Sequence, residues 1–508
     1  MANKLLLDLS GGMNAQAAPL VIQDDECEIA INYILDEAGR LKKRKGYSQY
    51  ANQPQANMSV LGLFELRRSS TWESLGLRRT AMAIKDTTDT NYKIYISNSG
   101  ANFTEEFTVA KAFWGGRTRW AAFVSNALHI TSGTATSLAS ADDGGSWTSA
   151  VPAPINGSDQ ASSSADIVVF QDRLYAIGGK SLLGGTDPNY NRVYFSSLPS
   201  GAPLNVTWTD SDHFDVNPDD NDALMGGHNN GNRLLLFKRE ALYRWTFGQL
   251  EPDRLIGVGT HSIESVRTNF DRGITFFAHP TGIYAYTGER PQLISRKIQP
   301  YIDAVSDWST VCAEVDGDHY FLSVGNLTVN SKTITNAVLV YHISLDAWTI
   351  FALAHKPVVF ARMYGSTTTT VQSVFFGDST GKVFKLFDGT DDAGSAIATE
   401  FRSKEYLLSY PNRTTIKNID VFSSNNNQAG VFLEVDRKIE TYEPIGALTD
   451  RITTLTPRKF RECNTVRISI GTSGSADATI DGFNIEHEPA EKRSENVKIR
   501  RGLTQARE

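Results

Sequence analysis

The 508-residue sequence predicts an all-β fold built around a β-propeller. The main observation is a recurring phrase, in which a polar turn precedes a short alternating strand with an aromatic residue or a histidine near its middle. Seven copies of the phrase are centred on Tyr95, His129, Tyr175, Tyr243, Tyr284, Tyr320 and Phe384. The gaps between these markers are 34, 46, 68, 41, 36 and 64 residues. Propeller blades need a period of about four strands, so we predict about six to seven blades.

Composition and hydrophobic patterning favour the same fold class. The chain has 40 glycines and 17 prolines, with 40% hydrophobic and 21% charged residues, as expected of a globular protein with many short strands joined by turns. Almost no stretch between residues 56 and 395 sustains the 3.6-residue period of a helix. Short apolar runs such as Leu234–Phe237, each followed by a turn and an aromatic phrase, predict hairpins with a buried inner strand.

The chain is too long for one ordinary core, so we expect several domains. Alternating strands such as Thr415–Phe422 and Thr465–Ile470 lack the aromatic phrase and predict a separate sandwich. The predicted parts are an N-terminal docking segment with a basic hairpin (1–55), the β-propeller (56–395), an antiparallel β-sandwich-like domain (396–488) and a charged tail (489–508).

Net charge and cysteine usage limit the expected function. A net charge of −7 argues against a protein that coats nucleic acid, but it is compatible with a surface past which DNA slides. Cys27, Cys312 and Cys463 have no CxxC spacing, so we expect buried thiols in a reducing compartment. The N-terminal apolar run is too short for a secretion signal, and no stretch approaches the roughly 20 apolar residues of a membrane span. We therefore expect cytosolic synthesis and no membrane anchor.

The sharpest local motif is S-x-D-x-G-x-x-W at Ser140, Asp142, Gly144 and Trp147. It matches the Asp-box of propellers such as sialidases and other glycan hydrolases. In that motif the carboxylate accepts backbone N–H groups of a turn and the tryptophan packs between blades, so its role is structural. The motif therefore favours a propeller without indicating a reaction.

An acidic stretch over residues 210–222 contains Asp215, Asp219, Asp220 and Asp222. Its oxygen ligands could suit calcium, but the D-x-D-x-D-G order is missing and Pro218 interrupts it. We favour a structural loop rich in turn-forming residues. None of the nine histidines has HxH or HExxH spacing, so the sequence does not indicate zinc, and we expect no metal or cofactor.

The one basic cluster contains Arg40, Lys42, Lys43, Arg44 and Lys45. It follows two short strands predicted around a glycine-containing turn over 33–41. One interpretation is an exposed hairpin edge whose charges block stray strand pairing. The other is an interface that binds an adjacent subunit, an adaptor protein or passing phosphates.

The sequence contains no GxGxxG, P-loop, GxSxG or kinase signature, and the early F/Y-R-I-P sequence of sialidases is absent. We therefore expect a protein that is not an enzyme and has no catalytic residues. The alternatives are a glycan-binding propeller and a sialidase-like hydrolase.

Three islands of sequence, in order, resemble the tail hub and nozzle proteins of short-tailed bacteriophages. They are Ser10–Tyr47, with its turn, acidic stretch and basic run; Phe214–Arg244, in which an aspartate-rich turn precedes a blade; and Phe376–Ile397, which is similar to the family's exit from its propeller. Lys45 stands where the family usually has a proline, and the C-terminal sandwich has no match in the resemblance.

The resemblance implies a structural virion protein that is assembled in the host cytoplasm and located in the tail. Such proteins lie below the portal and adaptor proteins, usually as six copies in a closed ring around the DNA channel. They help to retain the packaged genome, let double-stranded DNA pass without sequence specificity, and provide attachment surfaces for tail fibres or tailspikes. On this interpretation the basic cluster contacts the adaptor or a neighbouring subunit.

Overall fold

The structure of the chain is a computed structural model. The residues that it describes are 2–36, 38–67, 78–86, 88, 90–98, 102–110, 117–123, 127–131, 138–140, 164–179, 191–199, 206–209, 211–249, 253–366, 369–424, 429–436, 443–459, 462–472 and 479–490. Within these ranges the chain forms 41 strands and one short α-helix, Gln299–Asp303, so the fold is all-β as predicted. No helix in these ranges has the length and apolar character needed to cross a membrane.

Five separate antiparallel sheets have four strands each and are arranged as propeller blades. They are β7–β10 (Val60–Arg67, Arg78–Lys85, Asn91–Asn98, Thr104–Ala110), β14–β17 (Ser164–Phe170, Arg173–Gly179, Arg192–Phe195, His213–Asp215), β18–β21 (Leu224–Asn229, Leu234–Lys238, Leu242–Trp245, Asp253–Ile256), β22–β25 (Arg267–Asn269, Ile274–His279, Gly282–Tyr286, Gln292–Leu293), and β30–β32 (Pro357–Met363, Ser373–Asp378, Val383–Leu386) with β6 (Tyr47–Tyr50).

Two further antiparallel units differ from these five blades. One is a sheet with three described strands, β11–β13 (Arg119–Phe123, Ala127–Thr131, Leu138–Ser140). The other is a four-stranded meander, β26–β29 (Cys312–Asp316, His319–Val329, Lys332–His342, Ala347–Ala352), which belongs to an eleven-stranded sheet. The number of separate four-stranded blades is therefore five, which differs from the six to seven that the spacing of the aromatic phrases predicted.

The remaining strands form two larger sheets. The first is a seven-stranded sheet of β1 (Ala2–Leu6), β4 (Tyr33–Leu35), β5 (Leu41–Lys43), β35 (Thr414–Ser424), β38 (Ile452–Leu455), β39 (Glu462–Cys463) and β41 (Thr479–Pro489). The second continues from the meander β26–β29 through β2 (Gly12–Met13), β3 (Glu26–Ile31), β33 (Thr399–Ser403), β34 (Tyr406–Leu407), β36 (Gly430–Val435), β37 (Glu443–Ala447) and β40 (Thr465–Thr472). We call the strands of residues 2–43 and 399–489 together the sandwich unit.

The predicted docking segment 1–55 is not a separate part of the fold. Its strand β1 pairs with β41, and β5 also pairs with β41. Strand β3 lies between β29 of the propeller meander and β33 of the sandwich unit, and β6 is the outer strand of the blade β30–β32. The N-terminal segment thus joins the propeller to the sandwich unit by backbone hydrogen bonds.

Strands differ in burial according to whether one or both of their faces are covered. Every residue of Leu234–Lys238 is buried, as expected of a strand covered on both faces, whereas Thr414–Ser424 largely alternates between buried and partly exposed positions. One apolar core contains Phe276 of the blade β22–β25, Tyr320 of the meander β26–β29 and Phe483 of the sandwich unit. The two parts therefore share a core as well as a sheet.

Candidate functional site at the propeller axis

The first strands of the antiparallel units surround a cavity of about 470 Å³. Its wall comes from β7, β11, β18, β22, β26 and β30, together with the short 3₁₀ turn Ile263–Ser265 that precedes β22. The charged and ionisable residues in the wall are Glu65, Arg119, His228, Glu264, Arg267, Glu314 and Arg362. Because the first strands of six of the seven antiparallel units line this cavity, we take it as the propeller axis and as the candidate functional site.

A network of ion pairs crosses the axis from strand to strand. Arg119 donates from Nε to Asp166 at 2.8 Å and from Nη1 to Glu264 at 2.7 Å. Arg267 reaches the other oxygen of Glu264 at 3.2 Å and Glu314 at 3.5 Å. The network therefore connects β11, β14, β22 and β26 through two guanidinium groups.

Asp166 is the most enclosed member of this network. Its side chain is fully buried, and its carboxylate accepts hydrogen bonds from Arg119 and from the backbone N–H groups of Ile167 and Gly227. A Cβ at Gly227 would lie 2.2 Å from Ile177, and one at Gly226 would lie 2.7 Å from the carboxylate of Asp166. The close approach of β18 to β14 around this carboxylate therefore requires glycine.

The environment shifts the pKa values of the two glutamates, Glu264 and Glu314, in opposite directions. Burial alone would raise the pKa of Glu264, but the guanidinium groups of Arg119, Arg267 and Arg117 outweigh it and lower that pKa to about 2. Burial raises the pKa of Glu314, and Arg267 offsets this only in part. Burial and the nearby Arg267 and Arg119 also lower the pKa of His228 to about 3, so this imidazole is neutral near pH 7.

The four arginines at or beside the cavity all have protein partners. Besides Arg119 and Arg267, Arg362 lies 3.3 Å from Asp316. Arg117 donates to the carbonyl oxygens of Thr310 and Val311, the second at 2.7 Å. Guanidinium groups that are held in this way tie strands together, and an anionic ligand would have to compete with the existing carboxylates.

The structure separates the residues of the predicted basic cluster. Arg44 is completely buried and forms a bidentate ion pair with Asp392. Its Nη1 atom donates to Oδ1 at 2.7 Å and its Nη2 atom to Oδ2 at 2.6 Å. It also donates to Asn32 at 2.8 Å and to the carbonyl oxygen of Ala352 at 3.0 Å. Arg44 is therefore not available to an adaptor or another subunit, which corrects that part of the prediction.

The other basic residues differ in exposure. Lys43 is buried in β5 and is likewise inaccessible to a partner, because the paired strands and the core cover it. Arg40 and Lys42 are partly exposed and both bind Asp36, at 2.7 and 2.9 Å. Lys45 is exposed. Only Arg40, Lys42 and Lys45 of the predicted interface can therefore contact a partner.

The acidic loop is fixed by contacts within the chain. Asp215 binds Arg192 at 2.7 Å, and Asp220 binds the buried ammonium group of Lys238 at 2.6 Å. Asp222 accepts hydrogen bonds from the backbone N–H groups of Arg239 and Glu240. Asp219 is exposed in the short 3₁₀ turn Pro218–Asp220.

The Asp-box lies almost entirely outside the described residues. Asp142, Gly144 and Trp147 are not among them, and Ser140 is described only as the last residue of β13.

Sequence reasoning did not find the axial network. A signal was nevertheless present, because the first strand of several units contains a charged residue: Glu65, Arg119, Asp166, Glu314 and Arg362. A charge in an inner strand must find a partner, and in a propeller the nearest candidates are the inner strands of other blades.

Comparisons with known proteins show no family for this chain. No family model matches it, and no curated protein matches it. A solved structure of YCF48 bound to D1 peptide is similar over 66% of this chain and 95% of that chain, with 10% identity and a TM-score of 0.40. A glycoside hydrolase structure is similar over 87% of this chain and 99% of that chain, with 11% identity and a TM-score of 0.27. Both TM-scores are below 0.5, so these likenesses do not establish a shared function.

Proposed function

We propose that this chain is a structural protein of a phage tail, a hub or nozzle subunit below the portal and adaptor proteins, and not an enzyme. Six copies form a ring around the DNA channel, help to retain packaged DNA and provide attachment surfaces for fibres or tailspikes. The resemblance of three ordered sequence islands, over residues 10–47, 214–244 and 376–397, is the starting point of this proposal.

The observation that carries the proposal is the distribution of exposed apolar side chains. Among the described residues, eleven large hydrophobic side chains are exposed, and seven of them lie in the sandwich unit or its connecting loops: Leu5, Leu7, Leu20, Val21, Leu407, Tyr410 and Ile452. The propeller, which is the larger part of the chain, contributes the other four. Exposed apolar residues that concentrate in one region are typical of surfaces that bind another protein.

The connection between the two parts supports the same proposal. The eleven-stranded sheet runs without interruption from β26 of the propeller to β37 of the sandwich unit. A subunit of a ring that resists the pressure of packaged DNA must transmit force between its parts, and a shared sheet does so better than a flexible linker.

We propose in addition that the propeller has seven blades, with the β11–β13 sheet and the β26–β29 meander as two of them. Contacts between first strands join β26 to β30, β30 to β7, β7 to β11, β11 to β14 and β14 to β18. The 3₁₀ turn before β22 contacts β18 and β26, and β22 itself contacts β26. These contacts support a ring that closes within one chain.

Mass photometry of the purified full-length chain tests the ring. We expect a species of about 335 kDa, six times the 55.9 kDa of the chain. A single 55.9 kDa species over the whole accessible concentration range would contradict the proposal.

A second candidate, a glycan hydrolase, is favoured by one observation. Glu264 and Glu314 border one cavity and have pKa values shifted in opposite directions, as in an acid–base pair. Turnover of sialoside or aryl-glycoside reporters that disappears in Glu314→Gln would establish this candidate. We expect no turnover, because the same two carboxylates are bound to Arg267.

A further inference from the structure

Two histidines and a glutamate meet where two neighbouring blades adjoin. Glu240 is in the turn between β19 and β20, His279 is the last residue of β23, and His261 lies in the connection between these two blades. The Glu240 carboxylate lies 3.5 Å from His261 Nε2 through Oε1 and 3.3 Å from His279 Nε2 through Oε2. One potential ligand atom from each of the three residues lies within 4.8 Å of the other two.

The three side chains are close enough to contact one metal ion together. Two ligand atoms that are each about 2.0–2.1 Å from a tetrahedral zinc ion are about 3.3–3.4 Å from each other. The contacts at 3.3 and 3.5 Å run to the two different oxygens of Glu240, and one donor atom from each residue lies within 4.8 Å of the others, so the three side chains must move closer together to bind one ion. Imidazole nitrogens with a carboxylate oxygen are a donor set that suits zinc and similar divalent transition metals.

An independent observation points to a missing ligand. The His279 side chain is 5% exposed, and the Glu240 carboxylate lies 3.3 Å from its Nε2 atom without the geometry of a hydrogen bond. A buried nitrogen without a well-formed hydrogen bond is uncommon in folded proteins, and a metal ion between Nε2 and the Glu240 carboxylate would satisfy both groups.

The backbone around the three residues is fixed in place. Thr260 donates from its backbone N–H to the Lys238 carbonyl oxygen and from Oγ1 to the Ala278 carbonyl oxygen, at 2.9 and 2.8 Å. These bonds fix the residue before His261 to both neighbouring strands. On the other side, Asp222 of the acidic loop accepts a hydrogen bond from the backbone N–H of Glu240 at 2.9 Å. The backbone next to His261 and at Glu240 is thus fixed before any ion binds.

His279 also has the outer partner that a metal-bound histidine needs. Its Nδ1 atom lies 2.7 Å from Thr281 Oγ1, which in turn lies 3.0 Å from the Tyr284 hydroxyl. The Thr281 backbone nitrogen is also 3.2 Å from Nδ1. In this structure Nδ1 accepts a hydrogen bond from the Thr281 backbone N–H, so the neutral ring carries its proton on Nε2. Metal binding at Nε2 requires the other neutral tautomer, in which Nδ1 donates to Thr281 Oγ1.

We propose that Glu240, His261 and His279 form a site for one divalent transition metal ion, with zinc as the best fit. The ion connects the blade β18–β21 to the blade β22–β25. Because Glu240 is 65% exposed, the fourth position faces solvent and takes a water molecule or an oxygen or nitrogen atom of a partner. This inference does not depend on the proposed role in a phage tail.

Zinc titration of the metal-stripped, tag-free full-length chain, followed by calorimetry, tests the site. We expect one saturable zinc ion per chain and, with cobalt in its place, the visible absorption of a tetrahedral centre. Zinc should raise the thermal midpoint of the wild-type chain.

The partly exposed His261 is the safest residue to change, and Glu240→Gln is the second variant. Each should weaken zinc binding at least tenfold and abolish the thermal shift, without altering the midpoint of the metal-free protein. Glu289→Gln, an exposed glutamate between β24 and β25 of the blade that also contains His279, is the matched control and should bind as the wild type does. Absence of saturable binding, or equal binding by wild type, His261→Gln and Glu240→Gln, would overturn the proposal.

Discussion

Arg44 and Lys45 are neighbours in the basic run, but their side chains have opposite environments. Arg44 is buried against Asp392 and also lies over the Phe351 ring, 5.4 Å from its centroid, whereas Lys45 is exposed. Replacement of Arg44 by Met leaves the Asp392 carboxylate buried without its partner. We expect a loss of about 3–5 kcal/mol in the free energy of unfolding, measured by urea denaturation.

The matched control for Arg44 is Lys45→Met, which should change the free energy of unfolding by less than about 0.5 kcal/mol. The double variant Arg44→Met with Asp392→Leu removes both charges and should recover most of the loss. Equal stability of Arg44→Met and Lys45→Met would contradict the structural role of Arg44.

Glu264 in the axial network gives a pH-dependent prediction. Its pKa is lowered to about 2, against about 4.3 for an unperturbed glutamate, so its ionised form stabilises the fold above pH 4.3. This stability is lost as the pH falls from about 4.3 to about 2. Glu264→Gln should therefore be less stable than wild type at pH 7, by up to about 3 kcal/mol.

The urea midpoints of wild type and Glu264→Gln, measured from pH 7 to pH 2.5, should converge as the pH falls. Glu462→Gln, at an exposed strand position, should follow the wild type at every pH. A difference between Glu264→Gln and wild type that stays constant down to pH 2.5 would show that the charge of Glu264 does not contribute.

The roles of single residues were the hardest property to predict from the sequence. The basic run was visible, but nothing local indicates that Arg44 turns inward, because its partner Asp392 is 348 residues away. The same applies to Glu240, His261 and His279, whose spacing matches no metal motif. The role of each of these side chains depends on contacts with residues far away in the sequence, and these contacts form only in the folded chain.

At the scale of strands, the aromatic phrases predicted the propeller correctly but not the reason for their spacing. Each of the seven markers lies in a different antiparallel unit, in its second or its third strand. Gaps from a third to a second strand are 34 and 36 residues, gaps between equal positions are 46 and 41, and gaps from a second to a third strand are 68 and 64. The long gaps therefore reflect a shift by one strand, and no additional unit is described within them.

The N-terminal strands could not be assigned from sequence. The hairpin of Tyr33–Leu35 and Leu41–Lys43 was predicted and is confirmed. Its partners were not predicted, because β41 lies more than 400 residues further along the chain. Short strands carry no sequence signal for the sheet that they join.

Gly46 tests the closure of the last blade by the N-terminal segment. A Cβ at this position would lie 1.7 Å from the Asp391 carbonyl oxygen, and the surrounding atoms are backbone. Gly46→Ala should therefore break the hydrogen bonds from Gly46 to Gly389 and from Tyr47 to Asp391, and so release β6. We expect a loss of about 1–3 kcal/mol in the free energy of unfolding and faster proteolysis near residue 46.

Gly257→Ala is the control for Gly46→Ala, because its nearest neighbour would be 3.7 Å away and belongs to the flexible Arg254 side chain. It should leave stability and proteolysis nearly unchanged. Normal stability of Gly46→Ala would mean that β6 is not needed to close the blade.

For the whole molecule, the exposed apolar side chains of the sandwich unit define the surface expected to bind other subunits. Val21 and Tyr410 are 70% and 79% exposed, so Val21→Asp and Tyr410→Asp should not disturb the fold. We expect either change to shift the ring toward monomers in mass photometry. Phe270→Asp, equally exposed at 67% but on the propeller, should leave the ring intact.

The central claim is that this chain is a ring-forming structural protein of a particle. Negative-stain electron microscopy of the purified full-length protein tests it most directly. The claim predicts closed rings with six-fold symmetry and a central opening. Isolated single molecules at every concentration, together with saturable binding of surface sugars by the monomer, would contradict it and favour a glycan-binding propeller.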